Sequence, residues 1–582
     1  MHLPRHLASR IETLEPRIAP ATLVSVSADH KTATWTDVDG DRVTLKASKP
    51  VLDAADFTFL PDAESDIGGQ LALLDLSDIG AANSGVSLAF TAKRNPIDRV
   101  GDGSVHVGRI AAAGVDLGKV SIPGDLGSIE AGDSTLTTLA VKSILTRSAA
   151  AFGIDTQGDE LQGELTHVGW LFEGKVGKIT VQGHFRAVLE AGDSEDSGIA
   201  FDDAASIGAI TIWGDLIGGG EEFSPFEGAG TGYIFAEGHL GKVTILGSVD
   251  GSSADSFYGG SVTALGEIAS VSVGGHLRGG SAPETGEIFA VGALGKVTIG
   301  GSIFGGFTPT DENGDVFVDE EGVPFITESA GAIGSSMSID AVTVRGDVIP
   351  GYGRFTGAIY TSEQSGGNIK SVTIGGTLYG YNFQSFNNGD LESIPAFNGI
   401  YADGRLGPVK VGSIVGSAVD APVPITALGK ANPSSAKEAL AIASITVLRD
   451  AFALEVLAGY DSNYEAINPD VTIGPIKIGN SLRGSSISAG VVAPIYFGLD
   501  DNEIGEAGVG FTDSALRSRI VSVTVGTYVE GSGFMNGAFP TGMVAQEIGA
   551  VKIGGSKLEL SAGSSDLFTL GRMHDFFVRE VA

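Results

Sequence analysis

The chain alternates apolar and polar positions in short bursts, and one burst keeps returning. "GKVTILGSVDG" runs from Gly241 to Gly251, and close copies begin at Gly177 ("GKITVQGHFRA"), Gly295 ("GKVTIGGSIFGG") and Lys370 ("KSVTIGGTLYG"). Within one copy Val243 and Ile245 flank Thr244, the period-two alternation of a half-buried strand. Gly247 and Ser248 mark a bend, and Val249 returns to the apolar side before Gly251. Another strand signal precedes several copies: "GYIFAEGHLG" from Gly232, "GEIFAVGALG" from Gly286 and "NGIYADGRLG" from Asn398. Each repeat therefore reads as strand, bend, short strand, variable loop, strand and turn. Helical spacing is nearly absent; only "SSAKEALAI", from Ser434, fits a helical turn or two.

Aligned on the first apolar residue, the copies are anchored at Leu117, Val176, Ile207, Leu240, Ile268, Leu294, Ile339, Ile369, Leu406, Ile442, Ile473, Ile520 and Ile548, with a weaker copy, "LTTLAVKSI", from Leu136. The spacing averages about 33 residues, inside the window of roughly 20–50 that marks solenoids, propellers and arrays. The position of Thr244 is filled by Ser121, Thr180, Thr211, Ser272, Thr298, Thr343, Thr373, Thr446 and Thr524, and otherwise by Lys410, Lys477 and Lys552. A polar row with apolar rows on either side is the mark of an outward face.

The expected fold is all-β: a parallel β-helix, or β-solenoid, of about 14 irregular coils, right-handed as parallel crossovers are, with a small N-terminal β domain. Like residues would stack about 4.8 Å apart and make a rod roughly 65 Å long. A propeller blade needs hairpin turns and a longer repeat, so a propeller-like or sandwich array is the alternative. One coil cannot bury its own apolar face, so the repetition is a requirement of the architecture.

The ends differ from the body. Residues 1–22 read as a leader or export-type segment, 23–100 as a small N-terminal β domain or cap, 101–560 as the repeats and 561–582 as a C-terminal cap or sorting tail. Strands are expected in "TATWTDVDGDRVTLKAS", "DFTFL", "QLALLDL" and "VSLAFTAK". Capping is needed because an open solenoid end exposes unpaired backbone groups.

Composition narrows the partners. Lys and Arg total 36 against 71 Asp and Glu, a net charge of −35. Such a surface repels nucleic acid and anionic lipid, and attracts cations, calcium above all. With no cysteine, disulfides and thiolate chemistry are excluded. No apolar run is long enough for a transmembrane helix.

Candidate chemistry lies mainly in acidic loops. "DVDGD" sets Asp37, Asp39 and Asp41 at alternating positions around Gly40. Hard cations such as calcium take several carboxylate oxygens, so the spacing is a calcium signal. An EF-hand would need glycine and glutamate where Arg42 and Ser48 stand, and a hairpin turn at Asp39-Gly40 explains the stretch equally. "DENGDVFVDEEG" offers Asp311, Asn313, Asp315 and Asp319 for the same ion, and again fits a protruding hairpin. At the bends, Asp125, Asp215 and Asp347 occupy positions held elsewhere by His184, Ser248, His276, Ser302 and Thr377. Carboxylates stacked on one face could serve acid–base chemistry on a polysaccharide; alternatively such residues suit bends because they bond nearby backbone amides. Arg345, Asp347 and Arg354 form the best local cluster for a catalytic groove. HExxH, GxSxG and GxxxxGK[ST] patterns are missing.

"LEPRIAPA", Leu14 to Ala21, resembles the LEPR-type leader of large secreted or surface β-repeat proteins of Planctomycetes and Verrucomicrobia. "TDVDGDRVTLKASKPVLDAADFTF" and "VDLGKVSIPGDLGSIEAGD" resemble the opening of such proteins. The resemblance implies export and an extracellular or cell-surface location, and it carries over no catalytic residues. Three functions are compatible: a non-enzymatic surface protein with a structural or adhesive role, contacting glycans or other surface proteins; a β-helix polysaccharide lyase or hydrolase; and a calcium-dependent surface assembly module.

Overall fold

The computed structural model describes residues 24–61, 68–94, 101–132, 139–149, 169–192, 203, 205–219, 231–251, 257–306, 328–351, 353–362, 366–380, 383–387, 390–394, 398–419, 421–492, 502–503, 516–532, 541–561 and 566–581. The leader at 1–22 and the acidic loop carrying Asp311, Asn313, Asp315 and Asp319 lie outside them. Among the described residues the chain is all-β, with no α-helix. Two long parallel sheets dominate, and the chain winds between them in the manner of a β-solenoid.

The anchor strands build the first sheet. Val176–Val181, Ile207–Ile212, Leu240–Ile245, Ile268–Val273 and Leu294–Ile299 pair in parallel, each with the next repeat. The series runs from Leu117–Ser121 to Glu547–Ile553. After the bend, short strands such as Val249–Asp250 and Leu277–Arg278 extend the same sheet. Strands preceding the anchors build the second sheet, among them Tyr233–Ala236, Val262–Ala264 and Ile288–Ala290.

Sequence dictates which rows face inward. Leu240, Val243 and Ile245 are buried while Lys242 is exposed and Thr244 half-buried. Two successive outward positions, Gly241 and Lys242, interrupt the strict alternation of the strand. Glycine suits the first: a Cβ on Gly241 would lie 1.8 Å from the carbonyl oxygen of Gly208, one repeat below. Inside the second sheet a row of large residues (Ile234, Val262, Ile288, Ile333) runs beside a row of small ones (Ala236, Ala264, Ala290, Ser335), all buried. Each small residue stands four positions before an anchor, at Leu240, Ile268, Leu294 and Ile339, where the chain turns the corner between sheets. One hydrophobic core extends without a break from Ala33 to Val578.

The weak copy is corrected in register. Its strand is Val141–Thr146, and Val141 pairs with Leu117 below and Val176 above, so Val141 is its anchor. Leu136 falls outside the described residues. The expected N-terminal strands form Thr32–Thr36, Arg42–Ala47, Phe57–Pro61, Gly69–Asp75 and Val86–Lys93. They pair antiparallel among themselves, then continue both sheets: Val86 pairs in parallel with Leu117, and Leu71 with Val107. At the other end Leu567–Leu570 and Phe576–Glu580 make an antiparallel pair whose second strand lies parallel to Thr541–Ala545. The helical signal at Ser434 is a single turn, with Ala439 N–H donating to the Ser435 carbonyl.

Candidate functional site

The acidic turn is built by strand pairing. Thr36 pairs with Arg42, and Gly40, at φ 91°, lets the chain reverse between them. The hairpin turn expected at "DVDGD" forms, and it gathers the carboxylates of the stretch. Oxygens of Asp37, Asp39 and Asp41 lie within 4.8 Å of one another. The Asp41 N–H donates to Asp37 Oδ1 at 2.8 Å and to Asp39 Oδ1 at 3.2 Å. A distant segment closes over them: Asp102 N–H donates to Asp39 Oδ2 at 2.9 Å, and Gly103 N–H to Asp41 Oδ2 at 2.5 Å. Asp37 and Asp41 are buried, and Asp41 Oδ1 has no hydrogen-bond partner. Burial pushes the Asp37 carboxyl up to about 8, helped by its hydrogen bond to Asp39 and that group's charge. Burial also raises Asp41. Asp39 is opposed by burial too, but hydrogen bonds from Asp37 and the Asp102 amide carry it below the ordinary range.

The bend residues form a hydrogen-bonded ladder from repeat to repeat. Asp215 Oδ1 accepts the Ser248 N–H at 2.7 Å; Ser248 Oγ accepts His276 N–H at 3.0 Å; His276 Nδ1 accepts Ser302 N–H at 3.0 Å. Ser302 Oγ then accepts Asp347 N–H at 3.0 Å, and Asp347 Oδ1 accepts Thr377 N–H at 2.7 Å. Any side chain with a short-armed acceptor serves, which explains why Asp, Ser and His interchange. The amides belong to the next repeat, so these residues bond across the stack and not only within their own bend. Asp125 is held by His106 at 2.9 Å and by the Ser148 hydroxyl.

A second set of carboxyls lies outside the second sheet, beneath turns whose backbone is strained. Tyr258, Glu284, Ser329 and Phe355 each adopt positive φ (62°, 59°, 54° and 59°), two residues before a glycine that does the same. These turns fold back over the outward side chains. Phe355 stacks on Tyr360 at 4.5 Å and Tyr258 on Tyr233 at 5.2 Å. Beneath them the Tyr360 hydroxyl meets Ser329 Oγ at 3.2 Å, and Glu287 is sealed in. Burial pushes Glu287 up to about 8, and Glu190 and Glu455 up to about 7. No motif announced this row; the spacing from each x-x-Gly turn to the following strand is the signal that could have found it.

The outward face of the first sheet is ordered in charge as well as in shape. Across the stack the residues run Lys119, Ser143, Lys178, Ala209, Lys242, Ser270, Lys296, Ala341, so every lysine lies between small residues. Further along, the lysines move to the threonine row: Thr373, Lys410, Thr446, Lys477, Thr524, Lys552. Like charges directly opposite each other destabilise a sheet, and the alternation keeps them two strands, roughly 9.6 Å, apart.

A cleft of about 930 Å³ is lined by Asn368, Asp403, Arg405, Lys430, Glu438 and Asp461 among others. Its charged groups are mostly engaged: Tyr401 and the Gly366 N–H donate to Asp403, and Lys430 pairs with Glu438 at 2.8 Å. The residues of the expected cluster, Arg345, Asp347 and Arg354, are engaged in different places. Asp347 belongs to the ladder, whereas Arg354 donates to Ser462 Oγ and Asn463 Oδ1 at 2.8 and 3.0 Å. No helix among the described residues is long and apolar enough to cross a membrane. The chain matches no protein-family model, no curated protein and no solved structure.

Proposed function

We propose that the chain is a non-enzymatic, exported, right-handed β-solenoid of about 14 coils with a structural or adhesive role at the cell surface, binding acidic glycans along its first sheet. The observation that carries this reading is the lysine row, spaced by two strands on a flat face edged with threonine and serine. A rigid row of cations at roughly 9.6 Å fits an extended polymer with one anionic group per two sugars. The acidic remainder of the surface does not prevent this, because salt screens it beyond roughly 8 Å. The engagement of Asp215 and Asp347 in the ladder supports the absence of catalysis, and the LEPR-like leader supports export.

The test uses hyaluronan, an acidic polymer with one carboxylate per two sugars, and neutral dextran with the full chain. Expected are retention by the acidic polymer alone, loss of retention in the triple variant Lys178→Glu, Lys242→Glu, Lys296→Glu, and unchanged polymer length. Shortening of either polymer would favour a β-helix lyase or hydrolase instead, and equal retention of the triple variant would remove the lysine face from the account.

A further inference from the structure

We infer that Asp37, Asp39 and Asp41 hold a divalent metal ion, calcium by the chemistry of the donors, and that this ion locks the N-terminal hairpin to the segment at residues 101–103. Three carboxylate oxygens within 4.8 Å of one another match ligands placed about 2.3–2.6 Å from one calcium. Burial is the second observation. Asp41 is 0% exposed, and its Oδ1 has no hydrogen-bond partner. A carboxylate oxygen without a partner is costly in such a place unless a cation completes it. No lysine or arginine forms an ion pair with any of the three among the described residues. With no thiol in the chain, the donors are all hard oxygens, which select calcium over softer metals.

The lock follows from where the other oxygens point. Asp39 Oδ2 and Asp41 Oδ2 accept amide hydrogens from Asp102 and Gly103, 63 and 62 residues further along. Fixing the carboxylates on an ion therefore fixes these amides too. Gly101 belongs to the same arrangement: at φ 103° its backbone approaches so closely that a Cβ would fall 1.9 Å from Asp41 Oδ1. A carboxylate hairpin, a glycine pressed against it and two amides from the first full repeat make one unit. This inference is independent of the glycan face, since the two share no residue.

The experiment uses full-length protein stripped with EDTA. Terbium, a calcium substitute, is titrated while its emission is excited through tryptophan; Trp35 lies two residues before Asp37. Calcium is then added as competitor. Expected are saturable sensitised emission, its displacement by calcium, and slower amide exchange at Asp102 and Gly103 with calcium bound. Asp41→Asn should weaken binding about ten-fold or more, as fewer charged ligands lower calcium affinity. The pair Asp315→Asn, Asp319→Asn should leave the emission intact, which separates this site from the other acidic loop. If Asp41→Asn does not fold, Asp39→Asn, at a half-buried position, takes its place. Absence of emission together with calcium-independent exchange, or a folded Asp41→Asn variant that binds like wild type, would overturn the inference.

Discussion

The Tyr360 hydroxyl donates to Glu287 Oε1 at 2.9 Å, and both side chains are buried, with 6% and 4% exposure. Burial raises Glu287 from 4.5 to about 8, so the folded chain keeps its proton at neutral pH. The unfolded chain releases it near the ordinary value. Over the intervening window the folded state therefore holds the extra proton, and stability falls as pH rises. The full loss is on the order of 4–5 kcal/mol. Glu287→Gln keeps an acceptor for Tyr360 and removes the titration. Thermal melts at about pH 5 and about pH 8 should show wild type losing more stability than this variant. Parallel losses in both proteins would refute the assignment.

The bend ladder predicts a different kind of sensitivity. Ser302 Oγ accepts the Asp347 N–H, and Ser302 N–H donates to His276. Ser302→Ala deletes the acceptor and leaves the Asp347 amide to water, at a cost of about 1 kcal/mol. Ser302→Thr keeps the hydroxyl and should unfold close to wild type. Urea midpoints of the two variants decide it.

The charge alternation can be tested by breaking it. Ser270→Lys would place a lysine directly opposite both Lys242 and Lys296. The expected destabilisation is roughly 0.2–1 kcal/mol per pair at low ionic strength. At about 1 M salt, where the screening length is about 3 Å, most of it should disappear. A loss that salt does not relieve would point to packing instead of charge.

The row of small residues inside the second sheet leaves no spare volume. Ala264 pairs with Ala236 and Ala290, and all three have 0% exposure. Ala264→Leu should destabilise the chain by about 1–3 kcal/mol through overpacking. Chemical denaturation gives the number, and a neutral result would mean that the corner between the sheets is wider than its alanines imply.

Much of the architecture was legible because a solenoid repeats its instructions. Thr244 between Val243 and Ile245 fixes which side faces out, and the same phrase recurs often enough to set the register. The weak copy is disguised because its apolar–polar order is reversed: Leu145 stands on the outward row opposite Ser121 and Thr180, and Thr146 on the inward row opposite Val181. The acidic hairpin was legible as a local pattern, but not its closure by Asp102 and Gly103, because proximity across 63 residues leaves no local trace. The buried position of Glu287 was illegible for a related reason. It stands on an outward row, and Tyr360, from a strand of a later repeat with Phe355 stacked on it, reaches over it. The ladder role of Asp215 and Asp347 was half legible: amide bonding was expected of them, but the partner lies in the neighbouring repeat.

The lysine alternation gives the first sheet a period twice that of its backbone. Excising the single repeat that carries Ala209 would bring Lys178 against Lys242, whereas excising that repeat and the next would return Lys178 to a small neighbour, Ser270. Insertions and deletions in pairs leave the electrostatic pattern intact, and odd ones put a fault in it. In genetic terms the heritable module of this half of the molecule is a doublet, and lineages that lengthen or shorten the rod should do so in even steps.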